Sequence, residues 1–177
     1  WGVIKKIGAF ALMALTSALL VPFTQLAIRS YITENLSLNN AGIWEGMNRL
    51  SGMYLMLITS SISIYYLPRL SEIKEKYLLR HEIIKTAKII LPPLALACIS
   101  IYLLRDILVW LIFSKEFTVM RDLFAFQMVG DFFKIASWLM ALLFWAKALT
   151  KMFIIAEVVF NILYILLAYV GINNFGL

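Results

Sequence analysis

The sequence predicts an all-α fold, a polytopic transmembrane helix bundle with about five spanning helices. Of the 177 residues, 63% are hydrophobic and only 15% are charged, and the mean hydropathy is +0.89. A typical soluble domain is about half apolar and about a quarter charged. Five stretches each offer the roughly 20 apolar residues that a helix needs to cross the hydrocarbon core. The composition therefore points to the bilayer as the solvent of this chain.

The predicted spanning helices follow one another along the whole chain and form a single transmembrane lobe, residues 1–177. They cover residues 7–28, 41–67, 86–104, 119–146 and 152–170. The stretch 107–113 is too short to span, so we expect it to extend the third helix or to lie at the interface. Because the chain starts at Trp1 without a signal peptide, we interpret it as an interior piece of a longer membrane protein.

The segment 68–85 is predicted to be an amphipathic connector on the cytoplasmic membrane surface. Leu70, Ile73, Tyr77 and His81 follow helical spacing, with Lys and Glu residues opposite them. His81 is the single histidine of the chain. It has no histidine partner, so a solvated or interfacial residue is favoured over a metal ligand.

Basic residues in the loops predict the orientation of the helices. One set of loops carries ten of them, and the alternate set carries four. The first set is Lys5, Lys6, Arg69, Lys74, Lys76, Arg80, Lys85, Lys88, Lys147 and Lys151; the second is Arg29, Arg105, Lys115 and Arg121. Because cytoplasmic loops are enriched in Lys and Arg, the N-terminus of this piece is predicted to be cytoplasmic and its C-terminus periplasmic.

An acid and a base interrupt the fourth predicted helix. Asp131 lies ten residues beyond Arg121, which is about 15 Å along a helix, and Lys134 follows one turn later. A charge near the bilayer midplane costs about 2.5–3.5 kcal/mol on insertion scales and usually faces a bundle interior or a wet cavity. Asp131 and Lys134 are therefore functional candidates, and their spacing allows them to neutralise each other.

Other predicted helices also carry polar faces. Glu45 and Arg49 are one turn apart, so they could pair. The candidate cations for an anionic headgroup are Arg49, Lys134 and Arg29, and the candidate coupling or gating carboxylates are Asp131, Glu45 and Glu157. Candidate polar or aromatic lining residues are Gln127, Asn48, Asn161 and Trp138. Static pairing of helices is the open alternative for the charged residues, and a belt or core position is the alternative for Trp138.

The sequence predicts no catalytic residues, no metal site and no cofactor. It contains no glycine-rich phosphate loop, and its single cysteine, Cys98, lies in an apolar run typical of a core residue. The net charge of +6 does not indicate nucleic-acid binding, because the basic residues fall at helix ends. In place of a cofactor, a carboxylate at the bilayer midplane, such as that of Asp131, can bind and release a proton.

Three segments carry a resemblance to a known family: GIWEGMNRLSGMYL (42–55), YYLPRLSEIKEK (65–76) and FTVMRDLFAFQMVGDFFKI (117–135). In these segments the chain resembles the Wzx-type polysaccharide flippases of the multidrug/oligosaccharidyl-lipid/polysaccharide exporter superfamily. The resemblance implies a twelve-helix transporter of two six-helix lobes. This piece would supply the seventh to eleventh helices, as part of the C-terminal lobe.

The resemblance also implies a function. Members move undecaprenyl-pyrophosphate-linked oligosaccharides, such as O-antigen or enterobacterial common antigen units, across the bacterial inner membrane by alternating access. Implied partners are the lipid-linked substrate, the bilayer, the N-terminal lobe of the same protein, and a polysaccharide polymerase with its chain-length regulator. Two alternatives stay open, namely a cation-coupled multidrug exporter of the same superfamily and a non-transporting scaffold for polysaccharide assembly.

Overall fold

The computed structural model describes residues 2–113 and 115–176, without the side chains of residues 2, 3, 5, 6, 115, 116 and 175. Within these residues the chain is helical and contains no strand. The α-helices are α1 (Gly2–Asn35), α2 (Leu38–Glu72), α3 (Lys76–Leu103), α4 (Arg105–Ile112), α5 (Met120–Ala146) and α6 (Thr150–Phe175), and a short 3₁₀ helix covers Lys115–Val119. The side chains of Lys5, Lys6 and Lys115, which entered the charge count, lie outside the described set.

Five of the described helices are long and apolar enough to cross a membrane, which confirms the predicted polytopic all-α fold. The predicted fourth helix, 119–146, matches α5 to within one residue. The first and fifth helices extend beyond the predicted bounds, to Asn35 and Phe175. Polar residues near a helix end lower the local hydropathy, so a span predicted from hydropathy stops before them. The helix itself continues into the membrane interface.

The connector predicted at 68–85 is not a separate helix. α2 continues through Pro68 to Glu72, and α3 begins at Lys76, so only residues 73–75 separate them. Arg69 and Glu82 lie 3.5 Å apart across this turn and join the two helices as an antiparallel pair. The amphipathic pattern therefore belongs to the ends of two spanning helices. The stretch 107–113, by contrast, forms most of the separate short helix α4.

Helix ends are set by local capping. The Ser37 hydroxyl accepts the backbone N–H of Asn40 at 3.1 Å, which satisfies a free donor at the start of α2. At the end of α5, Ala148 adopts a left-handed conformation with φ 51°. The N–H of Ala148 bonds to the Trp145 carbonyl, and that of Leu149 bonds to the Phe144 carbonyl. This is a Schellman turn, and it directs the chain into α6.

The described residues form two compact units. The first comprises Trp1–Gly42 and Leu143–Leu177. In this unit α1 and α6 run parallel, since Thr24 contacts Asn161 and Tyr31 contacts Asn173 farther along both helices. The Tyr31 ring stacks on Tyr169 with ring centroids 4.0 Å apart.

The second unit comprises Ile43–Leu142. Its buried residues on α5 recur every three or four positions: Met120, Phe124, Met128, Asp131, Ile135, Leu139 and Leu142. In this unit α2 and α5 also run parallel, because Gly46 faces Met120 and Ser51 faces Asp131. α2 and α5 are the second and fourth spans, and α1 and α6 are the first and fifth. Spans that are two or four apart in order run parallel when successive spans cross the membrane in opposite directions.

Candidate functional site

The most deeply buried acid of the described structure is Asp131, whose residue surface is 1% exposed. Its carboxylate accepts hydrogen bonds from both spanning helices of the pair. From α2, the Ser51 hydroxyl lies 2.7 Å from both carboxylate oxygens, and the Tyr54 hydroxyl donates to Oδ2. From α5 itself, the Gln127 amide nitrogen donates to Oδ1 at 2.9 Å. We name this group, Ser51, Tyr54, Gln127 and Asp131, the carboxylate clamp.

The donors that contact the Asp131 carboxylate, Ser51, Tyr54 and Gln127, are all neutral. A buried charge is tolerated when its lone pairs are well hydrogen-bonded, and a carboxylate has about four acceptor positions. Three converging donors therefore satisfy most of these positions, and those of Ser51 and Tyr54 join α5 to α2.

The sequence builds this site from two regular helical faces. On α2, the buried residues Ile43, Met47, Ser51 and Leu55 recur at four-residue steps, so the small Ser51 lies in an otherwise apolar seam. Gly46 lies on the same part of α2, and a Cβ added there would come within 2.9 Å of Met120 Cε. The side chains of Met120, Phe113 and Phe117 thus fill the space beside Gly46.

Sequence reasoning found Asp131 and Gln127 but missed Ser51 and Tyr54. The polar face predicted on α2 ran through Glu45, Asn48 and Arg49 instead. The signal that could have found Ser51 is its four-residue spacing from Met47 and Leu55, which marks the buried face. Tyr54 lies half-buried beside that face and reaches the carboxylate with its long side chain.

The expected neutralisation of Asp131 by Lys134 is not observed within the described residues. Lys134 is exposed, whereas Asp131 is buried against α2. Residues three apart on a helix differ by about 60° in direction. Asp131 therefore points toward α2, while Lys134 does not. Lys134 therefore lies outside the clamp.

The predicted pair of Glu45 and Arg49 is confirmed. Arg49 Nη2 lies 2.6 Å from Glu45 Oε1, and Arg49 Nε lies 3.1 Å from the same oxygen. The Arg49 side chain is 77% exposed, so the ion pair lies on the outer surface of the second unit. Asn48 donates its side-chain amide to the Trp44 carbonyl at 3.1 Å on the same helix.

The remaining candidates are distributed over both units. In the first unit, Thr24 donates to Asn161 Oδ1 at 2.8 Å, and Asn161 Nδ2 donates to the Glu157 backbone carbonyl at 2.8 Å. The Glu157 side chain is half-buried. Arg29 is exposed and lines a shallow depression with Ser30 and Glu34. In the second unit, Trp138 is half-buried on α5.

An apolar groove runs beside the carboxylate clamp in the second unit. It has a volume of about 440 Å³ and is lined by α3 and α5 residues that include Cys98, Tyr102, Phe132 and Phe133. Met128 also lines the groove, and its Sδ lies 3.9 Å from the Tyr54 hydroxyl. No cluster of metal-ligating side chains occurs in the described part of the chain.

Two known proteins match this chain in sequence. Both are named lipid III flippase, one from Escherichia coli (strain K12) and one from Shigella flexneri, and each is 40% identical over 157 residues. The chain is similar to lipid III flippases. The match covers 89% of this chain, which confirms the resemblance found in the sequence, and 38% of each relative. The chain thus spans well under half the length of the flippases that it matches. No protein-family model and no solved structure matches it.

Proposed function

We propose that the full-length protein flips lipid-linked oligosaccharide units across the bacterial inner membrane, as a transporter rather than an enzyme. The observation that carries this proposal is the 40% identity to two lipid III flippases over most of the chain. Five helices of membrane-spanning length and a carboxylate buried between two of them support it. The substrate is an undecaprenyl-pyrophosphate-linked oligosaccharide, of the enterobacterial common antigen or O-antigen type.

The exposed cations suit the anionic headgroup of this substrate. Arg49 and Lys134 lie on the surface of the second unit, and a pyrophosphate would accept charge-assisted hydrogen bonds from both residue types. Arg29, in the first unit, is the third proposed contact. Arg49 already holds Glu45, so binding at Arg49 requires the phosphate to compete with that carboxylate or to use the remaining guanidinium donors.

Asp131 is the proposed coupling or gating carboxylate. It is the buried acid of the clamp, and its hydrogen bonds join two spanning helices that must move if access alternates. Glu45 and Glu157 are secondary candidates. Glu45 is tied to Arg49 on one helix, and the half-buried Glu157 belongs to the first unit.

Orientation is part of the proposal, with the N-terminus of this piece cytoplasmic and its C-terminus periplasmic. The parallel pairs α1–α6 and α2–α5 fit the alternation on which the charge count rests. Single cysteines can test it in a full-length C98S background with a membrane-impermeant maleimide. Leu36→Cys should react in intact cells and Glu75→Cys only after lysis, whereas the reverse pattern would contradict the orientation.

The transport proposal is tested by complementation of a strain that lacks its lipid III flippase. The full-length protein should restore common-antigen polysaccharide at the cell surface, and Lys134→Ala and Arg49→Ala should reduce it. Lys151→Ala, which removes an exposed lysine from the first turn of α6, is the matched control and should retain export. Restored drug resistance without restored polysaccharide would favour a multidrug exporter instead. A polysaccharide polymerase and its chain-length regulator are proposed protein partners, to be tested by co-purification.

A further inference from the structure

The short helix α4 carries an apolar face that the described structure leaves uncovered. Trp110 is 78% exposed, Leu111 is 70% exposed and Ile107 is 58% exposed, while Val109 on the other side is buried. Residues 107, 110 and 111 follow three- and four-residue steps, so they lie on one side of the helix. Three large apolar side chains in a row on one helix face indicate an interaction surface rather than a water-facing one.

Charged residues locate this face along the membrane normal. Arg121 at the start of α5 lies 3.1 Å from Asp106 in the first turn of α4, and the Arg105 guanidinium stacks 4.4 Å above the Tyr102 ring at the end of α3. Both α3 and α5 are of membrane-spanning length and composition. The ion pair therefore marks the level at which two apolar spans end and the polar interface begins.

The length of α4 limits its course from that level. Its eight residues extend about 12 Å, whereas the hydrocarbon core is about 30 Å thick. α4 thus cannot cross, and it joins two helices that do. A short helix with an apolar face, a tryptophan and flanking charges is the type that lies in the interface, with its apolar side at the headgroup and acyl boundary.

We propose that α4 is a membrane-surface helix that inserts Ile107, Trp110 and Leu111 into one leaflet of the bilayer. Arg105, Asp106 and Arg121 remain at the level of the lipid headgroups. The helix thereby fixes the level of the adjoining ends of α3 and α5 in the membrane. This inference depends on the fold and the burial pattern, and it holds whichever substrate the protein carries.

Spin-label accessibility in the full-length protein tests this proposal. Trp110→Cys and Leu111→Cys are made separately in a C98S background, labelled with a nitroxide and reconstituted in phospholipid vesicles. Collisions with oxygen, which concentrates in lipid, are compared with collisions with a water-soluble nickel chelate. Glu75→Cys, an exposed site in the turn between α2 and α3, is the water-facing control.

Insertion predicts that labels at 110 and 111 show a several-fold higher ratio of oxygen to nickel collisions than the label at 75. A ratio at 110 and 111 equal to that at 75 would place α4 in water and overturn the proposal. Protection from both reagents would show that another part of the protein covers the face, which overturns it as well. Two independent label sites keep the test valid if one variant does not fold.

Discussion

The Tyr54 hydroxyl donates a hydrogen bond to the Asp131 carboxylate and thereby links α2 to α5 midway along both helices. Ser51, one turn earlier on α2, donates to the same carboxylate. The two helices are thus joined by polar contacts at a depth where lipid offers no alternative partner. Hydrogen bonds of this kind stabilise the pair of helices.

Tyr54→Phe should lower the free energy of unfolding of the full-length protein by about 0.6–1.7 kcal/mol. The substitution removes one donor to a buried carboxylate while keeping the ring, and interhelical hydrogen bonds in membranes are worth about 0.6–1.7 kcal/mol. Unfolding in mixed detergent micelles measures the change. Tyr65→Phe is the matched control, because Tyr65 is an exposed residue of the same helix. Equal stabilities for the two variants would show that the Tyr54 hydrogen bond contributes nothing to the stability of the fold.

Gly46→Leu should destabilise the protein by about 1–3 kcal/mol, the usual range for overpacking. A Cβ at this position already meets Met120 Cε at 2.9 Å and Phe113 Cε1 at 3.2 Å, so a larger side chain must displace both of these side chains. Gly52→Leu, six residues later, is the control, since nothing lies within 4 Å of a Cβ there. It should be neutral or slightly stabilising through helix propensity. A destabilised Gly52→Leu beside an unaffected Gly46→Leu would refute the packing described for α2.

Ala148→Gly should stabilise the protein by about 1 kcal/mol. Ala148 holds φ 51° in the turn after α5, and a left-handed conformation costs an L-residue about 1–2 kcal/mol that glycine avoids. Thermal unfolding of the full-length variant measures the gain. Ala146→Gly, inside the last turn of α5, should instead lose about 1 kcal/mol. A loss in both variants would mean that position 148 is not left-handed in the folded protein.

Much of the fold could be predicted from the sequence because hydropathy alone marks membrane spans. The fourth predicted helix, 119–146, matches α5 closely, since Arg121 and Asp122 begin it and Lys147 follows it. The connector at 68–85 could not be predicted in the same way. A charged amphipathic stretch has the same composition whether it lies on the membrane or extends two spans into water, and only the break at residues 73–75 distinguishes them.

The candidate site was predictable only in part. Asp131 is conspicuous because a carboxylate in an apolar run has few structural explanations. Its partners Ser51 and Tyr54 are 80 and 77 residues away in the sequence, and their pairing depends on which faces of α2 and α5 meet. The spacing of Lys134 suggested a local ion pair, but tertiary packing buried the acid and left the lysine exposed.

The central claim is that Asp131 acts in transport and is more than a static link between helices. Asp131→Asn keeps the shape and the acceptor oxygen of the side chain but removes its charge and its ability to exchange a proton. The direct measurement is surface polysaccharide per folded full-length molecule in the flippase-deficient strain, with Asp122→Asn as the exposed carboxylate control on α5. Asp131→Asn is expected to abolish most export at normal folded levels, while Asp122→Asn retains it. Undiminished export per folded molecule of Asp131→Asn would contradict a role of Asp131 in transport.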